Sequence, residues 1–142
     1  MQNDTYEAKR NRLRVEISIY MVYNEKSNGG VIPMVIDFHA IQEMTIPGMN
    51  NGTGTMSARM YMDEHGKIIP CKIHPGGAIG THKHETSDDI NDILSGTGKA
   101  VCDGEEEILA PGACHICRKG SAHSIINTGA ADLVMLTIVV ER

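Results

Sequence analysis

Apolar and polar residues alternate along much of this chain. The alternation is clearest in residues 15–23 and 56–62, where every second residue is apolar or aromatic. Side chains that repeat every two residues lie on one face of a β-strand, so both segments predict strands. Shorter apolar runs predict further strands at residues 68–73, 90–94, 99–102, 107–109, 122–126 and 133–140.

Glycine-rich turns separate these runs. The chain has 15 glycines, and most of them stand in turn signals such as Asn28-Gly29 and Pro111-Gly112. Many short strands joined by such turns predict an all-β fold, either an antiparallel sandwich or a barrel. The one helix that the pattern predicts is short and covers residues 38–44, with Asp37 as its cap.

Chain length predicts one domain. The 142 residues can bury one hydrophobic core but are too few for two ordinary domains. Residues 1–12 are polar and charged, which predicts a flexible N-terminal arm. Residues 13–142 are therefore expected to form a single domain.

Charge and hydropathy exclude several classes of partner. Thirteen Lys and Arg residues against 18 Asp and Glu residues give a net charge of −5, without a basic patch. This balance argues against a nucleic-acid partner. No apolar run approaches the roughly 20 residues that a membrane-spanning helix needs, and the N-terminus lacks the apolar segment of a signal peptide. We therefore expect a cytoplasmic protein that has no membrane partner.

Four cysteines, Cys71, Cys102, Cys114 and Cys117, are expected to stay reduced in such a compartment. Cys114 and Cys117 have the spacing of some zinc and redox pairs. Their segment has a strand-like pattern, however, and positions three apart on a strand face opposite ways. The sequence therefore favours small buried packing residues over a functional pair.

The main candidate chemistry lies at His82 and His84. Two histidines at positions i and i+2 of a strand project from the same face, so they form a chelating pair. Three or four such donors are needed to hold a transition-metal ion. Four of the other five histidines, at positions 39, 65, 74 and 115, are interpreted as ordinary surface or hydrogen-bonded residues.

Two spaced patterns surround this pair and extend it. The first is Gly76-x5-His82-x-His84-x4-Asp89-x6-Gly96, and the second is Gly112-x5-Arg118-x-Gly120-x2-His123-x3-Asn127. Together they resemble the first and second motifs of the cupin superfamily, over about residues 68–140. The likeness is greatest to small, single-domain bacterial cupins. It implies a double-stranded β-helix, which is a jelly-roll barrel. The alternating residues 15–23 lie outside the motif-bearing region and are expected to form an extra N-terminal strand.

The resemblance also implies a metal site. His82, His84 and His123 match the three histidines of the two motifs, and Asp89 stands where the family usually has glutamate. Because aspartate is one methylene shorter, three arrangements remain open: the strands lie closer together, the ion shifts toward Asp89, or a water bridges them. Asp88 is an alternative ligand, although strand alternation and the distance to Gly96 favour Asp89.

Three residues near these ligands are candidates for catalytic or supporting roles. Arg118 replaces the proline that is usual in the second motif; it either clamps a carboxylate substrate or faces solvent. Asn91 shares the strand face of Asp89 and so is expected to line the cavity. Asp88, Asn91 and Arg118 are the nearest candidates for acid–base or supporting roles around the metal.

These residues predict a class of function but no single reaction. Three imidazoles and one carboxylate suit one divalent transition-metal ion, such as Fe, Mn, Ni or Zn. Our leading hypothesis is a metal-dependent enzyme of dioxygenase, isomerase, decarboxylase or lyase type, acting on a small polar molecule that bears a carbonyl or carboxylate group. The alternative is a non-catalytic module that binds a small ligand through the metal, as a sensor or carrier.

A homodimer is expected on two grounds. The predicted strand at residues 15–23 lies outside the motif-bearing barrel and would leave an open edge if it were unpaired. By resemblance, cupins of this size commonly form homodimers.

Overall fold

A computed structural model describes residues 35–142. Their regular structure consists of 3₁₀ turns at Phe38–Ala40 and Met49–Asn51 and of eleven strands. The strands are β1 (Met44–Pro47), β2 (Thr55–Ala58), β3 (Tyr61–Asp63), β4 (Gly66–Ile73), β5 (Ala78–Lys83), β6 (Ser87–Ser95), β7 (Gly98–Cys102), β8 (Glu105–Leu109), β9 (Cys114–Cys117), β10 (Ala122–Asn127) and β11 (Leu133–Glu141). The predicted all-β class is confirmed. The predicted arm at residues 1–12 and the strand at residues 15–23 lie outside the described residues, so they stay predictions.

The strands form two antiparallel sheets. The larger sheet has the order β1-β2-β4-β11-β6-β9, with β3 also paired to β4, and the smaller sheet has the order β5-β10-β7-β8. Strands that are neighbours in the sheets are mostly distant in sequence, as expected for a jelly roll. No helix within residues 35–142 has the length and apolar character needed to cross a membrane.

The core follows from strand alternation. In β11, which lies between β4 and β6, every second side chain from Leu133 to Val139 is buried. Burial of one such aliphatic side chain stabilises the fold by about 1.5–3 kcal/mol. The largest fully buried apolar side chains come from both sheets and are Ile73, Ile93, Leu109, Ile125, Leu133 and Met135.

The alternating segment at residues 56–62 forms two strands rather than one. Ala58 pairs with Cys71 and Tyr61 pairs with Ile68, so β2 and β3 follow the same register along β4. In the gap between them, the Arg59 amide donates to the Pro70 carbonyl at 3.0 Å. Proline has no N–H to return the hydrogen bond, so the ladder is interrupted at this point.

The predicted helix at residues 38–44 is reduced to the single 3₁₀ turn Phe38–Ala40. Its cap is as predicted, since the Asp37 carboxylate accepts a hydrogen bond from the His39 amide at 2.9 Å. Met44 already belongs to β1, which pairs with β2. A segment this short does not offset the cost of helix nucleation, and its last residue, Met44, pairs in the sheet instead.

Candidate metal centre

Four side chains from three strands and a strand end meet at one point between the two sheets. His82 lies in β5, His84 directly follows β5, Asp89 lies in β6, and His123 lies in β10. His82 and His123 are paired across β5 and β10 of the smaller sheet, whereas Asp89 comes from the larger sheet. One ligand atom from each residue lies within 4.8 Å of the other three.

The three imidazoles point the same nitrogen at this shared point. The Nε2 atoms are separated by 3.0 Å between His82 and His84, 3.1 Å between His84 and His123, and 3.2 Å between His82 and His123. The Asp89 Oδ2 atom lies 3.0 Å from His123 Nε2 and 3.3 Å from His84 Nε2. The shorter aspartate therefore reaches the same point as the imidazoles.

These separations fit a divalent ion. Two ligand atoms that each lie about 2.1 Å from one ion, at a right angle to each other, are about 3 Å apart. The second carboxylate oxygen, Asp89 Oδ1, is buried and has no hydrogen-bond partner among the described residues. A buried carboxylate that carries an unpartnered oxygen is costly unless another group compensates its charge. The donor set and this unsatisfied oxygen are both compatible with a bound metal.

The charge states suit metal binding. Burial is the main cause that lowers the pKa of both His82 and His84, so each imidazole favours its neutral, lone-pair-bearing form. For Asp89, burial raises the pKa, but the hydrogen bond and electrostatic attraction of His123, together with smaller contributions from Asn91 and His84, outweigh it, so the pKa is lowered overall. The carboxylate is thus favoured in its ionised form.

The rings of His82 and His84 also make contacts through their Nδ1 atoms, on the side away from the shared point. His82 Nδ1 lies 2.9 Å from the Gly80 carbonyl oxygen, and His84 Nδ1 lies 3.4 Å from the Ser87 hydroxyl. A carbonyl accepts only from an N–H, so the contact with Gly80 places the His82 proton on Nδ1. The Nε2 lone pair of His82 is then free to face the shared point.

Gly80 itself is required by its surroundings. A side-chain carbon at this position would lie 2.1 Å from the Asn50 carbonyl oxygen. The backbone of β5 and the 3₁₀ turn Met49–Asn51 can therefore approach each other only because residue 80 is glycine. This close approach supports the strand that carries His82.

Asn91 is buried on β6, two residues from Asp89 and therefore on the same strand face. Its Oδ1 atom accepts a hydrogen bond from the Thr137 hydroxyl at 2.6 Å. Its Nδ2 atom is buried without a hydrogen-bond partner among the described residues. Thr137 thus fixes the amide and leaves its donor group free on the interior face.

Asp88 and Arg118 are not part of the imidazole cluster. The Asp88 carboxylate accepts from Arg118 Nη1 at 3.1 Å, from Arg142 Nη2 at 2.9 Å and from the Lys119 amide at 2.9 Å. These donors, led by the Lys119 amide, lower the pKa of Asp88 to about 2. Asp88 and Asp89 are neighbours on one strand and therefore face opposite ways.

His115 and Glu107 are additional residues at the site that the motifs did not indicate. His115 is buried on β9, and its Nε2 atom lies 2.8 Å from His123 Nδ1. Its Nδ1 atom lies 2.6 Å from the Glu107 carboxylate on β8. The sequence interpretation of His115 as a hydrogen-bonded histidine holds, but it did not reveal the partner. The available signal was strand alternation, which turns His115 and Cys117 inward together.

The sequence prediction for the cysteine pair holds in part, since Cys117 is a buried packing residue but Cys114 is not. All four are free thiols, and Cys114 is exposed whereas Cys117 is buried, so the two face opposite sides of β9. Burial raises the pKa of Cys71 to about 11 and that of Cys117 to about 12. These two thiols therefore stay protonated at neutral pH and are poor metal ligands.

Two known proteins are similar to this chain in sequence. The oxalate-binding protein of Thermotoga maritima is 30% identical over 113 residues, which cover 75% of this chain and 93% of that protein. The pectin degradation protein KdgF of Dickeya dadantii is 31% identical over 76 residues, covering 53% of this chain and 69% of that protein. Each of these chains is similar to the present one over most of its own length.

A solved structure is similar as well. The crystal structure of a predicted oxalate decarboxylase from Thermotoga maritima superposes with a TM-score of 0.72 at 28% sequence identity, covering 77% of this chain and all of the other. The structural match confirms the jelly-roll fold that the motifs imply. The family model for the cupin domain matches residues 71–139, a stretch that contains all four clustered side chains. On this sequence match, the relatives and the two-sheet fold, the chain belongs to the cupin family.

Proposed function

We propose that this protein is a metal-dependent cupin that binds a small carboxylate- or carbonyl-bearing molecule at an ion held by His82, His84, Asp89 and His123, and transforms it. The observation that carries the proposal is the convergence of three Nε2 atoms, 3.0–3.2 Å apart, with a buried aspartate oxygen. A divalent ion held there would supply Lewis acidity, which polarises a carbonyl or stabilises an enediolate.

The class of ligand follows from the coordination number and the relatives. A six-coordinate ion with four protein ligands keeps two positions for other groups, and a molecule with two oxygens can take both. The similarity to a protein named for oxalate binding supports a small dicarboxylate or a related oxyanion. The low aromatic content, with no Trp and one Phe, argues against a stacking pocket for sugars or bases.

Among the three candidate residues for catalysis, Asn91 receives the most support. Its buried Nδ2 donor meets no hydrogen-bond partner at normal geometry among the described residues, and it faces the same side of β6 as Asp89, whose pKa the Asn91 side chain helps to lower. From this position it is able to donate to a ligand oxygen beside Asp89. Asp88 and Arg118 are hydrogen-bonded to each other instead. We therefore assign Asn91 a role in ligand binding, and assign Asp88 and Arg118 to stability.

Metal content tests the basis of the proposal. Protein purified without chelators is expected to contain about one divalent transition-metal ion per chain, measured by elemental analysis. Metal-free protein titrated with Mn²⁺, Fe²⁺, Ni²⁺ or Zn²⁺ is expected to melt at a higher temperature when an ion binds. A chain that neither retains nor takes up any of these ions would contradict the proposal.

Ligand binding is tested by calorimetry with oxalate, and acetate serves as the control that offers only one carboxylate. Oxalate is expected to bind the metal-loaded protein more tightly than acetate does, because it can occupy two positions on one ion. Neither anion is expected to bind the metal-free protein measurably. Equal binding of oxalate to the loaded and metal-free forms would contradict binding through the metal.

One observation favours the non-catalytic alternative, in which the protein only binds its ligand. Two of the three candidate acid–base residues, Asp88 and Arg118, are engaged in ion pairing. Incubation of metal-loaded protein with small dicarboxylates and diketones separates the two functions. Oxygen consumption or product formation supports the enzyme, whereas a raised melting temperature without any product supports the sensor or carrier.

A further inference from the structure

A chain of three side chains leads from the candidate metal ligand His123 to the protein surface. His123 Nδ1 lies 2.8 Å from His115 Nε2, and His115 Nδ1 lies 2.6 Å from Glu107 Oε2. The side chains of His123 and His115 are fully buried, whereas the Glu107 side chain is 51% exposed. These three hydrogen-bonded side chains lie on β10, β9 and β8, so they connect the two sheets.

Only one placement of the imidazole protons satisfies both hydrogen bonds while His115 and His123 stay neutral and Glu107 is ionised. An ionised carboxylate only accepts, so the His115 proton must lie on Nδ1. His115 Nε2 then carries a lone pair and accepts from His123 Nδ1–H. The proton of His123 is thus held on Nδ1, which leaves the Nε2 lone pair directed at Asp89 and the other imidazoles.

We propose that Glu107 and His115 are positioning residues for His123: they fix the tautomer and the ring orientation with which it binds the metal. This inference rests on the proposed function, since it requires an ion at the four-residue cluster. Partners of this kind orient metal-bound histidines and increase the basicity of the ligand nitrogen. Neither residue would contact the ion, so both act through His123.

The other two histidines are held in simpler ways. His82 donates to a backbone carbonyl, which no side-chain substitution removes, and His84 makes only a 3.4 Å contact with the Ser87 hydroxyl. His123 is the histidine whose Nδ1 contact leads, through a second ring, to an ionised side chain. Substitutions at Glu107 and His115 should therefore act on this ligand alone.

The test uses Glu107→Ala, with Glu106→Ala as a matched control. Glu106 lies beside Glu107 on β8, its side chain is 53% exposed, and it pairs with Lys99 instead of a histidine. Metal-free protein is titrated with Co²⁺ against a competing chelator, and the visible absorption spectrum of the bound Co²⁺ is recorded. We expect Glu107→Ala to weaken Co²⁺ binding about 10- to 100-fold and to change the spectrum, and Glu106→Ala to do neither.

Two further variants refine the test. Glu107→Gln keeps an acceptor oxygen but loses the charge, so its Co²⁺ affinity should fall between those of the wild type and Glu107→Ala. His115→Phe removes the acceptor from His123 and should weaken binding at least as much as Glu107→Ala does. Since His115 is buried, this variant is informative only if it folds; the exposed Glu107 keeps the test valid in either case.

The possible outcomes separate this inference from the proposed function. If the wild-type protein fails to bind Co²⁺, both are overturned. If the wild type binds Co²⁺ and Glu107→Ala matches Glu106→Ala in affinity and spectrum, only the inference is overturned. A weakened Glu107→Ala protein with an unchanged Co²⁺ spectrum and a lower metal-free melting temperature indicates general destabilisation, which also overturns it. Weaker binding with an altered spectrum and an unchanged metal-free melting temperature supports it.

Discussion

Asp88 and Asp89 are adjacent on β6, yet their carboxylates lie on opposite faces of the strand and have different hydrogen-bond partners. Asp88 is surrounded by donors, namely two guanidinium groups and a backbone amide. Asp89 lies beside the imidazoles of His84 and His123 and the Asn91 side chain, and one of its oxygens has no hydrogen-bond partner among the described residues. A satisfied carboxylate contributes to stability, whereas an incompletely satisfied one next to neutral nitrogens is suited to bind an ion.

The comparison shows why burial alone is a poor guide to function. Both aspartates are 5% exposed, and both have a lowered pKa. They differ in the partners that lower it. For Asp88 these partners are a backbone amide and two arginines, which satisfy the carboxylate with hydrogen bonds. For Asp89 the main partner is His123, which is itself a candidate metal ligand.

The largest effect is expected from Asp89→Ala, with Asp88→Ala as the neighbouring control. Removal of Asp89 leaves three neutral imidazoles without a negative charge, so affinity for a divalent ion should fall by at least about 100-fold. Asp88→Ala should retain about one ion per chain. Elemental analysis and Co²⁺ titration measure both variants. If the two lost metal equally, the proposed difference between the two faces would be wrong.

Asp89→Glu should have a smaller effect on the metal. The longer side chain pushes the carboxylate further toward the Nε2 atoms, which Asp89 Oδ2 already approaches to 3.0–3.3 Å, and it must fit a buried site. We expect the ion to remain bound within about tenfold of the wild-type affinity, because carboxylates bind divalent ions in several geometries. A change in the Co²⁺ spectrum at retained stoichiometry would support direct contact by residue 89. An unchanged spectrum would indicate a water-bridged or absent contact.

Asp88→Asn should affect stability rather than metal content. The substitution removes the negative charge that pairs with both Arg118 and Arg142. Because both arginines are largely exposed, each ion pair stabilises the fold only modestly, and the melting temperature should fall by about a few degrees. Thermal denaturation followed by circular dichroism measures the change. A large loss of bound metal with no change in melting temperature would contradict the assignment.

The effect of Asp88→Asn should also depend on pH. The folded-state pKa of Asp88 is about 2, below its unfolded value of about 3.9. The stability that the carboxylate supplies is therefore fully present above about pH 4 and is lost as the pH falls toward 2. The difference in melting temperature between wild type and variant should shrink as the pH falls over this range. A difference that stayed constant would contradict a lowered pKa of Asp88 in the folded state.

The smallest effect is expected from Arg118→Gln. Asp88 keeps two hydrogen bonds from Arg142 and one from the Lys119 amide, so the melting temperature should change by no more than about two degrees. Oxalate affinity of the metal-loaded protein should be unchanged. A marked loss of oxalate affinity would instead support a carboxylate-binding role for Arg118.

Local sequence patterns predicted the strands well and the interruptions poorly. Short apolar runs located β4, β6, β10 and β11 to within a few residues, because such a run is a local signal of a strand. The gap between β2 and β3 depends on Pro70 in a strand that pairs with them only in the fold. The helix at residues 38–44 was overestimated for a similar reason, since β1 forms by pairing with β2.

The sequence alone determined the fold class, the chelating pair at His82 and His84, and the spacing that adds Asp89 and His123. These features depend on strand alternation and on motif spacing, both of which are visible in one dimension. In the structure Asp89, which the spacing favoured over Asp88, meets the imidazoles, and only the tertiary structure decided that this shorter side chain reaches them. It also decided that Glu107 and His115 stand behind His123. Such contacts join strands of different sheets, and their distances are set by the packing of the whole barrel rather than by any local pattern.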